Sequence, residues 1–288
     1  MTMKMTYKNI HQTIRPGTWV KSAIMVAFGI LLTRYLVGSG RVRANLIFGP
    51  AIFFLLAMSG MFSVLAFRIV EEPEKKLKDA QLYVIIYGVS YIISFGFSIY
   101  HSARYDLGFI PILAVLLIGA VEAVIIINGK KWKYSSLIHP LWNSFLPAFG
   151  FFYGAMIGGV ILPVYVYLLF FAIFSLQLSK DFVKKYKTYI SKKEGDVTFI
   201  DILGSQRLQM GIVILLLLSM ICILIPEFLT IPNWFLFLFG MLLELVLLGI
   251  APVLIFKFDL GAKYKKGINI LLKFGICIQY LTVFLGCI

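Results

Sequence analysis

Charge is scarce in this chain, and negative charge is scarcest. Charged residues make up 14% of it, with 13 Asp and Glu against 27 Lys and Arg, while 60% is hydrophobic and the mean hydropathy is +0.93. Such a composition excludes an ordinary soluble domain and indicates a polytopic membrane protein. Cysteine is nearly missing too. Cys222, Cys277 and Cys287 lie in apolar runs without paired or metal-like spacing, which removes a disulfide framework or Cys-rich zinc site and leaves small core hydrophobes. No HExxH, Gly-x-Ser-x-Gly or Walker-type phosphate loop occurs, so zinc hydrolysis, serine catalysis and P-loop chemistry have no support. No cleavable signal peptide is expected, because the polar, basic start leads into a full-length apolar run without a small-residue cleavage pattern. The net charge of +14 does not indicate nucleic acid, because its basic residues sit in short loops beside apolar runs and no polar segment makes a nucleic-acid module.

What the chain has in abundance is apolar runs long enough to cross a hydrocarbon core of ~30 Å, about 20 helical residues each. Nine are counted, at about 18–37, 44–67, 80–100, 107–127, 137–157, 160–178, 209–226, 231–256 and 267–287. The expectation is an all-α polytopic membrane protein, one domain over 1–288, with nine transmembrane helices in a bundle. Nine spans place 22 Lys and Arg on the N-terminal side and four (Arg34, Arg41, Arg43, Arg104) on the other. The positive-inside rule then gives a multi-pass cell-membrane protein, its N-terminus cytoplasmic and its C-terminus outside. The polar loops 68–79, 128–136 and 179–207 form a cytoplasmic cap over one mouth of the bundle.

The interval Ser175–Arg207 is the longest polar stretch between apolar runs. It holds four of the thirteen carboxylates (Asp181, Glu194, Asp196, Asp201) and seven of the basic residues. Within the spans, Glu122 and Glu244 sit near the middle of apolar runs, where an ionised side chain costs ~2.5–3.5 kcal/mol on insertion scales. Each should face the bundle interior or be protonated. Glu122 reads either as a proton-handling or substrate-contacting group in a cavity or as a protonated packing contact. Glu244 reads more simply as a packing contact. Lys273 can snorkel to an interface, and His101 and His139 read as satisfied histidines near span ends.

Several local patterns, in order, resemble the UbiA superfamily of intramembrane prenyltransferases. Arg15-Pro16-Gly17-Thr18-Trp19-Val20-Lys21 resembles the family's opening Arg-Pro-x-x-Trp-x-Lys, and Glu72-Pro73-Glu74-Lys75 lies where the family has a Pro-Asp-Arg turn. Trp142-Asn143, then Gly150 and Gly154, resembles the entry to span 5. Phe171 to Lys180-Asp181, then Glu194-Gly195-Asp196, resembles the second acidic motif. The departures are equally specific. The positions matching the first acidic motif are Gly60, Val64 and Arg68, none a carboxylate. Asp181 and Asp196 are separated by the lysine-rich VKKYKTYISKK, and the family's Tyr-x-x-x-Lys element is reduced to Lys130 and Lys131.

The resemblance implies an enzyme that transfers a prenyl group from an isoprenoid diphosphate to an aromatic or lipid acceptor among membrane lipids. In the family, Mg²⁺ held between two acidic motifs neutralises charge on the leaving diphosphate. Carried over, Asp181 and Asp196 are the catalytic acids and metal ligands, and Lys180, Lys130 and Lys131 contact phosphate. Asn143 is a polar wall group and Glu122 a further substrate contact. With the first acidic motif gone, Glu71, Glu72, Glu74 and Asp79 are surrogate ligands, or the lysines hold diphosphate without a metal. Two other readings stand beside this one. One is a catalytically lapsed UbiA-fold protein that binds a hydrophobic ligand, or a partner protein at its cytoplasmic cap. The other is a proton-coupled small-solute transporter built around Glu122.

Overall fold

A chain passing through hydrocarbon must bond every backbone N–H and C=O to itself, and long apolar runs do so as helices. The computed structural model describes residues 16–34, 39–70, 77–128, 135–158, 162–190, 204–228, 231, 233–258 and 265–287. Among them are nine α-helices: α1 Pro16–Leu32, α2 Ser39–Val70, α3 Leu77–Tyr105, α4 Ile110–Asn128, α5 Ser135–Gly158, α6 Val164–Ile190, α7 Ser205–Leu224, α8 Trp234–Phe258 and α9 Lys265–Cys287. Six contain segments long and apolar enough to cross a membrane: Arg41–Ser63, Gln81–Tyr105, Val164–Lys184, Gln206–Leu224, Trp234–Ile255 and Gly267–Cys287. The described apolar segments of α1 and α4 are shorter, Gly17–Leu32 and Ile110–Ile125. This is an all-helical, multi-pass membrane protein.

Turn chemistry explains one sharp reversal. Between α3 and α4 the backbone takes positive φ at Asp106 (54°) and Gly108 (64°), a conformation that Asp tolerates and Gly adopts freely. Asp106 also pairs with Arg41 at 3.7 Å, but both side chains are exposed, so the pair adds little stability.

The helices differ from the hydropathy boundaries at the cap. The apolar run of α6 fades near 178, yet the helix continues to Ile190, so the first 12 residues of the expected 179–207 loop are helical. Lysine is a good helix former, and a helix leaving lipid loses its apolar character without losing its backbone ladder. Likewise α2 extends to Val70 and α3 begins at Leu77, taking in both ends of the expected 68–79 loop.

Two of the bundle's apolar cores meet along α1 and α5. One gathers Val26, Ile52, Leu56, Val115, Ile118, Trp142 and Tyr153 from α1, α2, α4 and α5. The other joins Met25, Phe151, Val166, Ile173, Ile223, Phe237 and Val283 across α1 and α5 to α9. The outer surface is apolar, with Ile92, Phe109, Ile214, Phe235 and Phe239 well exposed, as a lipid-facing surface requires.

The α1–α5 contact is the closest in the fold. A methyl group on Gly154 would overlap the Val26 carbonyl, one on Gly29 would overlap the Phe151 carbonyl, and one on Gly150 would lie 2.6 Å from the Ser22 carbonyl. Gly150 and Gly154 form the small-xxx-small spacing that lets helix backbones touch in a membrane. Asn143 lies on the same face, seven residues before Gly150, and the approach carries Thr18 of α1 up to it.

Candidate functional site

α5 is enclosed on nearly every side. Its accessible described side chains form one stripe, Leu137, Leu141, Phe145, Phe149, Phe152 and Met156, at helical spacing. Two prolines interrupt its ladder. Pro147 lacks the N–H that would close on the Asn143 carbonyl, which leaves a spare acceptor at that level.

The Asn143 side chain is 4% exposed and bridges two helices. Its Oδ1 accepts from Thr18 Oγ1 at 2.7 Å, and its Nδ2 donates to Asp181 Oδ2 of α6. The second Asp181 oxygen lies 3.6 Å from Lys180 Nζ, with side-chain exposures of 14% for Lys180 and 2% for Asp181. Lys180 Nζ also donates to Gln177 Oε1 (3.2 Å), and Gln177 Nε2 donates to Tyr280 OH of α9 (2.8 Å). A continuous polar chain therefore runs Thr18–Asn143–Asp181–Lys180–Gln177–Tyr280 across α1, α5, α6 and α9. Buried polar groups cost free energy unless paired, and each link here pairs one.

Trp142, the residue before Asn143, faces the other way. A methyl group on Gly60 of α2 would overlap Trp142 Nε1 and lie 2.7 Å from Glu122 Oε1 of α4. The absent side chain at Gly60 is therefore what lets α4 and α5 bring an acid and an indole against α2. Glu122 is fully buried, with its oxygens 3.2 and 3.0 Å from Ser59 Oγ. The single Ser59 proton is shared with the Leu56 carbonyl at 2.8 Å. The space that α2 leaves open at this level is thus filled by a carboxyl group carried on α4.

An aromatic ladder descends α5 from this level. Trp142 stacks on Phe145 (5.7 Å) and Phe145 on Phe149 (5.1 Å), while Phe152 meets Phe170 of α6 at 5.7 Å. From Trp142 to Phe152 it spans about 15 Å at ~1.5 Å per residue.

The residues anticipated from sequence thus fall into three groups. Asp181, Lys180 and Asn143 come together at one node, and Glu122 lies across α5 from them. Asp196, Lys130 and Lys131 lie outside the described residues, as do Glu71, Glu72 and Glu74 and the Asp79 side chain. Thr18, Gln177, Tyr280 and Ser59 are members that sequence reasoning passed over. Their one available signal was spacing, with Gln177 three and four residues before Lys180 and Asp181 on one helix face. Of the histidines, His101 is buried and its Nε2 donates to Asn45 Oδ1 at 3.0 Å, while its Nδ1 has no hydrogen-bond partner among the described residues, so it is satisfied at one ring nitrogen only; the His139 side chain lies outside the described set.

The described donors at the node do not by themselves complete a magnesium site, and Asp196, Glu71, Glu72 and Glu74 lie outside the described residues. Among the described residues no three His, Cys, Asp or Glu side chains gather around a common point. Asp181, the one acid present, has one oxygen taken by Asn143 and the other beside the Lys180 ammonium. Mg²⁺ demands octahedral oxygen donors, normally one or two carboxylates with phosphate and water. The cation that faces Asp181 is Lys180.

The helical bundle matches a known fold. A solved structure of a digeranylgeranylglyceryl phosphate synthase in membranes, a membrane prenyltransferase, superposes with a TM-score of 0.68 at 17% identity, over 97% of this chain and 98% of that one. The two share a fold. No protein-family model matches the chain, and no curated protein does. The likeness runs from end to end, so all nine helices belong to the shared architecture.

Proposed function

We propose that the chain is a UbiA-type prenyltransferase, moving a prenyl group from an isoprenoid diphosphate to a lipophilic aromatic or lipid acceptor. The observation that carries this reading is the end-to-end likeness to a membrane prenyltransferase at a TM-score of 0.68. The polar node and the aromatic ladder beside it supply the chemistry. Neither the lapsed reading nor the transporter reading gains a specific observation.

In this reading the diphosphate lies at the node end of the bundle. Lys180, partly exposed and aligned by Asp181 and Gln177, gives it a fixed positive charge, and Lys130 and Lys131 add further phosphate contacts. Asp181, held by Asn143, sets where that ammonium sits, and Asp196 is the second acid of the cap. The allylic carbon–oxygen bond breaks with its electron pair passing to the diphosphate, whose growing charge the lysine stabilises. The allylic cation meets the faces of Phe145 and Phe149, where ring quadrupoles favour positive charge. The acceptor's nucleophilic atom then bonds to that carbon, and its proton leaves with the released diphosphate. The prenyl chain lies along the stripe of α5. The excess of Lys and Arg on that side supports a node end that faces the cytoplasm.

The test is reconstituted protein given labelled farnesyl or geranylgeranyl diphosphate and a panel of acceptors. Diphosphate release is expected, with loss in Asp181→Ala and in Lys180→Met. Absence of both turnover and donor binding across the panel would overturn the assignment.

A further inference from the structure

An isoprenoid diphosphate has a charged head and an apolar tail, and α5 and α6 together offer a measure of the tail. Among the described helices neither α2 nor α4 packs closely on α6, so the accessible stripe of α5 floors a cleft between them. On one side of that floor Phe149 meets Phe53 of α2 at 6.1 Å. On the other, α6 presents its own row of rings, with Phe174 and Phe170 6.4 Å apart and 4° from parallel. Phe145, Phe149, Phe152, Phe170 and Phe174 all keep partial exposure, and Tyr167 is half-exposed.

The two rows close on each other away from the node. At the node the link between α5 and α6 is polar, from Asn143 to Asp181. Nine residues further along α5, Phe152 meets Phe170 at 5.7 Å and Tyr167 at 5.4 Å. Phe170 also reaches Phe145, but edge-on and at 6.4 Å, near the outer limit for a ring pair. Closure is therefore tightest at Phe152, about 14 Å from Asn143 at ~1.5 Å per helical residue. With carbon–carbon bonds of ~1.5 Å, an extended isoprene unit advances about 4–5 Å, so about three units fit before the crossing.

We propose that the crossing of Phe152, Tyr167 and Phe170 is an end-stop for the donor's tail, so that farnesyl diphosphate is taken in preference to geranylgeranyl diphosphate. The inference rests on the prenyl-transfer reading and adds length selection to it. A stop can measure length only if the head is fixed, and Lys180, held by Asp181 and Gln177, fixes it. The geranylgeranyl tail is one isoprene unit longer. It must either push a ring of the crossing aside, at the cost of an over-packed site, or fold out of the cleft and lose its contacts with the rings.

The experiment is a competition on the full-length chain in lipid nanodiscs, in which unlabelled farnesyl or geranylgeranyl diphosphate displaces labelled farnesyl diphosphate. Wild type should favour farnesyl by about tenfold, the cost of one modestly over-packed site. Phe152→Ala removes the ring shared by both crossing contacts and should bring the ratio close to unity. Tyr167→Ala should move the ratio the same way by a smaller factor. Equal affinity for the two donors in wild type overturns the inference and leaves the assignment standing, as does a ratio that Phe152→Ala leaves unmoved. Should Phe152→Ala fail to fold, Tyr167→Ala decides, because its half-exposed position tolerates truncation. Binding of neither donor overturns the assignment and takes the inference with it.

Discussion

Asp181 and Glu244 are both carboxylates buried in one helical bundle, and their surroundings are opposite. Asp181 accepts from Asn143 and lies beside Lys180, and every partner in turn has a partner as far as Thr18 and Tyr280. Glu244 has no ion pair among the described residues, and its polar neighbour is the neutral amide of Gln279. The difference teaches that burial alone assigns no role to an acid in a membrane protein. An acid wrapped in donors can remain a carboxylate and position a cation. An acid beside a neutral amide alone has no cation to position and is a packing contact between helices.

The strongest way to disturb both acids together is to separate the helices that carry them. Gly154→Leu places a side chain where the Val26 backbone already lies, and backbone cannot step aside as a side chain can. Its cost should reach or exceed the ~3 kcal/mol upper end of ordinary over-packing. Loss of folded, monodisperse protein from detergent extracts is the expected result.

The contrast itself is tested by replacing each acid with leucine. Asp181→Leu strands the Asn143 amide and the Lys180 ammonium, and should cost roughly 2–3 kcal/mol, less than a fully buried pair because Lys180 stays partly exposed. Glu244→Leu should lie between no change and a gain of ~1–4 kcal/mol, because it removes a fully buried acid that has no ion-pair partner among the described residues. Equal losses in chemical denaturation would erase the distinction.

Smaller effects are expected where Glu122 meets α2. Gly60→Ala pushes a methyl group into Trp142 Nε1 and Glu122 Oε1, for about 1–2 kcal/mol by thermal unfolding. Glu122→Gln keeps an acceptor for Ser59 and should change stability by no more than ~1 kcal/mol. A large loss in Glu122→Gln, accompanied by loss of prenyl transfer, would move this acid from a packing contact to a working group.

Much of this bundle can be read without coordinates, for a physical reason. Hydropathy reports the lipid boundary, so all nine helices have a counterpart among the nine apolar runs. The same signal misplaces the end of α6, because lysines from 184 onward leave lipid while the helix persists to Ile190. Asp181, Lys180 and Asn143 stand out as polar residues in recognisable patterns. Thr18, Gln177 and Tyr280 do not, since neutral polar side chains in apolar runs leave no periodic mark until the opposing helix is known. Gln279 as the neighbour of Glu244 is further hidden, because the pairing follows from antiparallel register and not from any local pattern.

Consecutive residues on α5 face two different sets of neighbours at its node end, and successive side chains on a helix point about 100° apart. Trp142 packs against Gly60 of α2, and Asn143 is bonded to Thr18 and Asp181. A roll of α5 about its own axis that tightened one commitment would pull the other out of reach, while the glycine contact with α1 blocks sliding. The helix at the centre of the bundle is thereby held against both torsion and translation. Any motion that opens a path for a prenyl chain must then come from the helices around α5, moving past a fixed post.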